Sequence, residues 1–285
     1  MSRRARWLFT ILCASGLAGL TGLADEPNKP IRALLVLGGC CHDYEHQKDA
    51  ITRGVSRKAN VKWTIAYDAD RTTKHKNPAY DKADWAKEFD VVVHDECSSD
   101  VNSLEVIETI LRPHKEGLPA VVLHCGMHSF RTEGWNKNAA TPWMKFTGLI
   151  STGHGPQQPI AVTFVDKDHP ITKTLGHWTT IEEELYNNAS GKLEPTAHAL
   201  ASGKQFYKVY PRKDGKEDRT ALAKEVTAEA VVAWTNTYNG GTKVFATTLG
   251  HNNGTVEDPR YHDLVARGLL WAVGKLDAEH LKPAE

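Results

Sequence analysis

The stretch Ile31-Arg-Ala-Leu-Leu-Val-Leu37, followed by Gly38-Gly39-Cys40-Cys41-His42-Asp43-Tyr44-Glu45-His46, decides the fold of this 285-residue chain. An apolar run that ends in two glycines reads as a strand buried on both faces and running into a tight turn. Gln47 to Lys58 reads as the helix after it. Val61 to Tyr67, Phe89 to His94 and Ala120 to His124 repeat the strand pattern, and Val101 to His114 reads as a helix between the last two. Strands alternating with helices predict an α/β single domain: a doubly wound, mostly parallel sheet with helices on both faces. In such a sheet ligands bind outside the carboxyl ends of the strands, so the loops after those ends matter most.

The second half is less regular. Pro159 to Val165 reads as a strand, Ala230 to Thr235 and Lys243 to Thr248 as a hairpin across Asn239-Gly240-Gly241, Tyr210 to Lys224 as an exposed loop, and Asp258 to Lys275 as a terminal helix. That helix carries Leu264, Leu269, Leu270, Trp271 and Val273, which suit packing on the sheet or a homodimer contact. At the other end, Arg3, Arg4 and Arg6 precede an apolar run from Trp7 to Leu23 that closes on Gly22-Leu23-Ala24, the pattern of a cleaved secretory leader. The expected organisation is a signal peptide over 1–24, a short linker over 25–30, the α/β domain over 31–276 and a tail over 277–285. A periplasmic or secreted protein with no membrane segment after cleavage follows from that reading.

Formal charge is zero for the whole chain and −3 without the three leader arginines. No basic field is present to hold nucleic acid, so none is expected as a partner. Cys40, Cys41, Cys97 and Cys125 follow the leader. Adjacent cysteines rarely bridge, so Cys40 and Cys41 read as separate thiols, whereas Cys97 and Cys125 can bridge if both lie at the ends of neighbouring strands.

Imidazole, carboxylate and thiol groups gather at the predicted strand ends. The first strand leads to His42, Glu45 and His46, the third to His94-Asp95-Glu96-Cys97, and the fourth to His124-Cys125-Gly126-Met127-His128. Away from these ends, His198, His262 and His280 read as structural, and His75 and His114 as surface residues. Three chemistries can use the cluster. Cys125 before Gly126 resembles a nucleophile turn, although an amidotransferase elbow places its nucleophile two residues before the glycine, where His124 stands. His42, His128, Glu184 and His251 offer ligands to one divalent metal ion. Metal-free acid–base catalysis, with a histidine base and Glu183 or Glu184 as partner, is the third.

The order of Gly38-Gly39 with His42, Val122-Leu123-His124, Gly153-His154, Asp168-His169-Pro170-Ile171-Thr172, Glu183-Glu184-Leu185-Tyr186, Thr248-Leu249-Gly250-His251 and Arg267-Gly268 through Trp271-Ala272 resembles the ThuA-like, trehalose-utilisation family from about Ile31 to Lys275. The resemblance implies a class I glutamine amidotransferase-like, flavodoxin-like fold in which histidine replaces the catalytic cysteine, as His124 does here. That argues against amidotransferase activity. It further implies carbohydrate handling: a lyase or hydrolase on glycosides or 3-keto-glycosides such as trehalose derivatives.

On that resemblance the catalytic candidates are His42, His124, Glu184 and His251, and the substrate-binding candidates are His128, His154, Tyr186, Asn252 and Cys125. Glu184 would remove a proton beside a keto group while His124 or His42 hydrogen-bonds the developing oxyanion. Cys40-Cys41 and Cys125 depart from the usual family pattern. A carbohydrate-binding protein without catalysis, with Trp135, Trp143, Trp178 and Tyr186 stacking on sugar rings, and a metal-dependent hydrolase are the alternatives.

Overall fold

The computed structural model describes residues 29–132, 135, 139–277 and 280–282, and the expected leader at 1–24 lies outside them. A nine-stranded sheet runs through the domain in the order β2-β1-β3-β4-β11-β10-β7-β5-β6. Its first half, β1 (Ile31–Gly39), β2 (Val61–Asp68), β3 (Val91–Cys97), β4 (Ala120–Leu123) and β11 (Thr242–Thr247), is parallel throughout. The second half, β10 (Lys224–Tyr238), β7 (Ala197–Val209), β5 (His154–Phe164) and β6 (Trp178–Tyr186), is antiparallel. The α/β, doubly wound fold is therefore present, with an antiparallel extension on one side. A separate short hairpin, β8 (Arg212–Lys213) with β9 (Lys216–Glu217), occupies the exposed segment read as a loop.

β1 is apolar along its length because both of its faces are covered. Ala33, Leu35 and Leu37 enter the core under α1 (Tyr44–Ser56) and α5 (Pro259–Ala272). Leu34 and Val36 enter the opposite core, under α2 (Leu104–Lys115) and α3 (Pro142–Thr147). Leu264, Leu269 and Leu270 of α5 are fully buried in the first of these cores, so that face is packing. Truncating a fully buried leucine such as Leu35 to alanine costs about 2–5 kcal/mol.

Among the described residues, four of the five α-helices, all but α4 (Asn253–Val256), start where a polar side chain caps them. Asp43 accepts from the His46 amide, so α1 begins at Tyr44, three residues before the apolar periodicity suggests. Asp258 accepts from the Arg260 amide with Pro259 in the first turn, opening α5.

Two sequence readings need correction. β3 continues to Cys97, so His94, Asp95 and Glu96 lie within a buried strand and not in a loop beyond it. His75 and His114, read as surface residues, are fully buried; His114 finds its partners only in the folded chain, which no local pattern records. Among the described residues no helix is long and apolar enough to cross a membrane.

Candidate active site

The carboxyl ends of β1, β4 and β11 point to one place, and the edge strand β6 comes back over it. Gly39, at φ +96°, turns the chain after β1, and a Cβ there would stand 2.2 Å from the Cys97 carbonyl oxygen, so only glycine fits. The turn delivers His42. After β4 the chain enters a short 3-10 turn, His124–His128, whose first residue holds φ 35°, a left-handed conformation for a non-glycine residue. After β11, Gly250 turns into His251, just ahead of the short helix α4 (Asn253–Val256). The three rings meet edge to face: His42 lies 4.7 Å from His124 and 4.8 Å from His251 between centroids.

β6 supplies two adjacent glutamates with different tasks. Glu183 accepts the main-chain N–H groups of His251 at 3.0 Å and Asn252 at 3.1 Å, clamping the loop after β11. Gln47 holds the same loop from α1, donating to the carbonyls of Gly250 and His251. Glu184, only 7 % exposed, faces the rings. Its Oε2 is 3.3 Å from His251 Nδ1 and 3.7 Å from His124 Nε2, and its Oε1 is 3.6 Å from His154 Nδ1. Burial disfavours its charge, but the interaction with His251, helped by His154 and His42, outweighs this and holds the carboxyl below its usual range. Burial likewise opposes charge on His251, and Glu184 more than offsets it, raising that imidazole. Glu184 is an ionised base at neutral pH.

The tautomer of His124 follows from its partners. Its Nδ1 lies 2.6 Å from the Thr248 carbonyl, which can only accept, so Nδ1 carries the proton. Burial first, and His42 next, keep the ring neutral, so Nε2 presents a lone pair to the pocket and accepts from the Tyr186 hydroxyl at 3.3 Å. Burial, followed by His251, brings His42 down to about 4, and its Nδ1 is buried with no hydrogen-bond partner. The Nδ1 of His251 meets Glu184 as an ion pair without hydrogen-bond alignment, while its Nε2 lies 2.8 Å from the Gln157 amide.

Around this centre, His128 stacks flat on Tyr186 at 4.0 Å and 3° and bonds Ser151 Oγ at 2.7 Å. His154 sits at the rim with Nδ1 donating to the Gly155 carbonyl at 2.8 Å. It shares with Tyr186, Asn187 and Tyr207 the wall of an open groove of about 420 Å³. The hollow at the amino ends of the strands, lined by Arg32, Phe89, Asp90 and Leu118, holds a surface ion pair and no such convergence.

His42, His124, Glu184, His251, His128, His154 and Tyr186 are thus brought together. Asn252 and Cys125 are occupied otherwise. The Asn252 amide donates to the Glu182 carbonyl at 2.5 Å, and Cys125 is bridged to Cys97 across the neighbouring ends of β3 and β4. Cys40 and Cys41 also form a bridge, against the expectation for adjacent cysteines; the left-handed Cys41, φ 82°, follows the Gly38-Gly39 turn and lets the two side chains face each other. Cys40 Sγ packs 3.3 Å from Cys97 Sγ, and the sulfurs of Cys97 and Cys125 lie within 4.8 Å of a His42 nitrogen.

Glu45 and His46 stay outside the centre, His46 pairing with Glu257 at the surface. Trp143 and Trp178 are buried in the cores and offer no open face to a sugar. Gln157 and Ser151 are the contributions sequence reading missed, and Glu183, offered as an acid–base partner, instead clamps the loop after β11. The signal available was strand alternation, which gives adjacent residues such as Glu183 and Glu184 different surroundings.

The model of the trehalose-utilisation family, ThuA, matches residues 32–272. Among solved structures, a ThuA-like protein from Parabacteroides merdae superposes with a TM-score of 0.61 at 17 % identity, over 90 % of this chain and 93 % of that one. Another from Bacteroides uniformis gives 0.55 at 16 % identity, over 90 % and 96 %. No curated protein matches the chain. A family model spanning nearly the whole described domain, on a fold shared with those two structures, places the chain in the ThuA family of trehalose-utilisation proteins.

Proposed function

We propose that this protein is an exported carbohydrate-processing enzyme, a lyase or hydrolase that cleaves glycosides or 3-keto-glycosides such as trehalose derivatives. The observation that carries the reading is Glu184, an ionised and nearly buried carboxylate with three imidazole nitrogens at 3.3–3.7 Å. A keto group at C3 acidifies the hydrogen on C2. Glu184 takes that proton, the C2–H electrons form an enolate, and the enolate expels the glycosidic oxygen from C1. The departing oxygen takes the proton that Glu184 has received, giving the free alcohol, the carboxylate restored and an unsaturated keto-sugar, to which water can then add.

Of the two histidines expected to donate to the enolate oxygen, His124 has its lone pair inward and does not donate, which leaves His42. The stacked rings of Tyr186 and His128 hold the geometry of the wall. The test is turnover of 3-keto-trehalose and 3-keto-glucosides by the purified mature protein beside Glu184→Gln. Loss of turnover in the variant with its fold intact supports the reading; normal turnover by Glu184→Gln, or none by the parent protein, overturns it. Export is tested separately by the mass of the protein recovered outside the cytoplasm, which loses residues 1–24 if the leader is cleaved.

A further inference from the structure

We infer that His42, His124 and His251 form a binding site for one divalent metal ion of zinc-like softness, open towards the cleft beside Glu184. The binding stands on ligand geometry; only the ion's role as the electrophile for the enolate oxygen rests on the function proposed above.

One nitrogen from each ring belongs to a set whose members lie within 4.8 Å of one another. Two donors on a tetrahedral zinc ion, at about 2.0–2.1 Å each, stand about 3.4 Å apart, so small ring rotations bring the three nitrogens onto one ion. His42 and His251 each keep a nitrogen without a partner, and the lone pair of His124 Nε2 meets only the Tyr186 hydroxyl at 3.3 Å, which an ion would displace. His124 Nε2 has no proton, because Nδ1 spends the ring's only one on the Thr248 carbonyl. That bond is the kind of outer contact that fixes the tautomer and orientation of a metal-bound histidine. His42, 7 % exposed, has Nδ1 buried and without a hydrogen-bond partner, a costly arrangement for an imidazole nitrogen unless something binds it. The Nδ1 of His251 is also buried without an aligned partner.

The scaffold is that of a rigid ligand set. The ligands come from three different strand ends, and the loop after β11 is fixed by Glu183 and Gln47. Three protein ligands and an open fourth position are the pattern of a catalytic zinc site, with Glu184 beside it to receive a proton. Imidazole donors favour zinc, cobalt or nickel over magnesium or calcium, which seek oxygen.

The experiment is titration of chelator-treated, untagged protein with Zn²⁺ by calorimetry, and with Co²⁺ by its visible ligand-field bands. One ion per chain is expected. Affinity should fall more than about 100-fold in His124→Ala and His42→Ala, in line with the loss of a metal-site group. His251→Ala, at a partly buried position outside both apolar cores, should lose the ion equally and covers the case in which a buried variant fails to fold. Glu184→Gln should keep the ion while losing turnover. No saturable binding, or binding of equal strength in all three histidine variants, overturns the inference and marks any retained ion as adventitious. Stoichiometric binding without keto-glycoside turnover would leave the metal site standing and sink the proposed reaction; Glu184-dependent turnover by metal-free protein would leave the reaction standing and sink the ion's role as electrophile.

Discussion

Two histidine clusters lie on either side of β3, and they differ in what their nitrogens meet. Under the sheet, His114 Nδ1 donates to the Leu118 carbonyl at 2.8 Å, and its Nε2 accepts from His94 Nε2 at 3.1 Å. His94 Nδ1 then lies 2.9 Å from Glu96, which Tyr80 meets from the other side at 2.5 Å. Burial raises Glu96 to about 7 and holds both histidines near 3, so a neutral carboxyl can donate to His94 Nδ1 and complete the chain. Apart from Glu96 Oε2, every polar atom of that network has a partner inside the protein. At the strand ends, in contrast, His42 and His251 each keep a nitrogen without one. The same residue type thus serves two ends: a network that closes on itself holds the fold, and one left open is set for a ligand.

The largest expected effect separates the two by activity. Glu184→Gln should lower keto-glycoside turnover by about 10²- to 10⁴-fold with little change in melting, since it removes a proton acceptor and not packing. Next, reduction of the Cys97–Cys125 bridge should cost about 3.5 kcal/mol of stability for a loop of this length, read as the shift in urea midpoint with and without reductant; the bridge spans 28 residues. The Cys40–Cys41 bridge closes almost no loop and should add little to that shift.

Third, His94→Ala should cost about 1–3 kcal/mol by stranding His114 Nε2 and Glu96, while turnover per folded molecule stays at the parent level. Equal losses of turnover in His94→Ala and Glu184→Gln would erase the distinction between the clusters. The smallest effect concerns pH. His94 and His114 have folded values below the unfolded 6.5, so their stabilisation is complete above about pH 6.5 and is lost as pH falls towards 3. Glu96, raised to about 7, stabilises below its unfolded value and loses that contribution as pH rises from about 4.5 to 7. The slopes oppose each other over pH 4.5–6.5. Glu96→Gln removes one of them, so its stability should fall more steeply with acid over this window, by up to about 1.4 kcal/mol per pH unit. Unchanged slopes would mean that Glu96 is ionised in the folded protein.

The parallel half of the fold was legible because its strands, buried on both faces, are continuous apolar runs, as in Val91-Val92-Val93 and Ala120-Val121-Val122-Leu123. The antiparallel half was harder to read. β7 mixes Ala199-Leu200-Ala201 with Lys204, Gln205 and Lys208, since only part of its length is covered, and β6 hides Glu183 and Glu184 in what looks like a charged surface segment. His42, His124, Glu184 and His251 could be named from strand ends and family motifs. Their protonation and free lone pairs could not, because Thr248, Tyr186 and Gln157 come from remote parts of the chain. Asn252 and Cys125 show the same limit: motif position marked them, and the fold gave their side chains other work.

The paired sulfurs beside His42 make the order of events during maturation part of the design. Oxidation fastens the turn after β4 to the end of β3 and packs the Cys40–Cys41 ring against that fastening, so a reduced chain lacks the covalent tie beneath the histidines. A chain produced where thiols remain reduced can wind its sheet correctly and still lack a finished centre. Circular dichroism would pass such a preparation as native, whereas thiol counting or the urea midpoint would expose it.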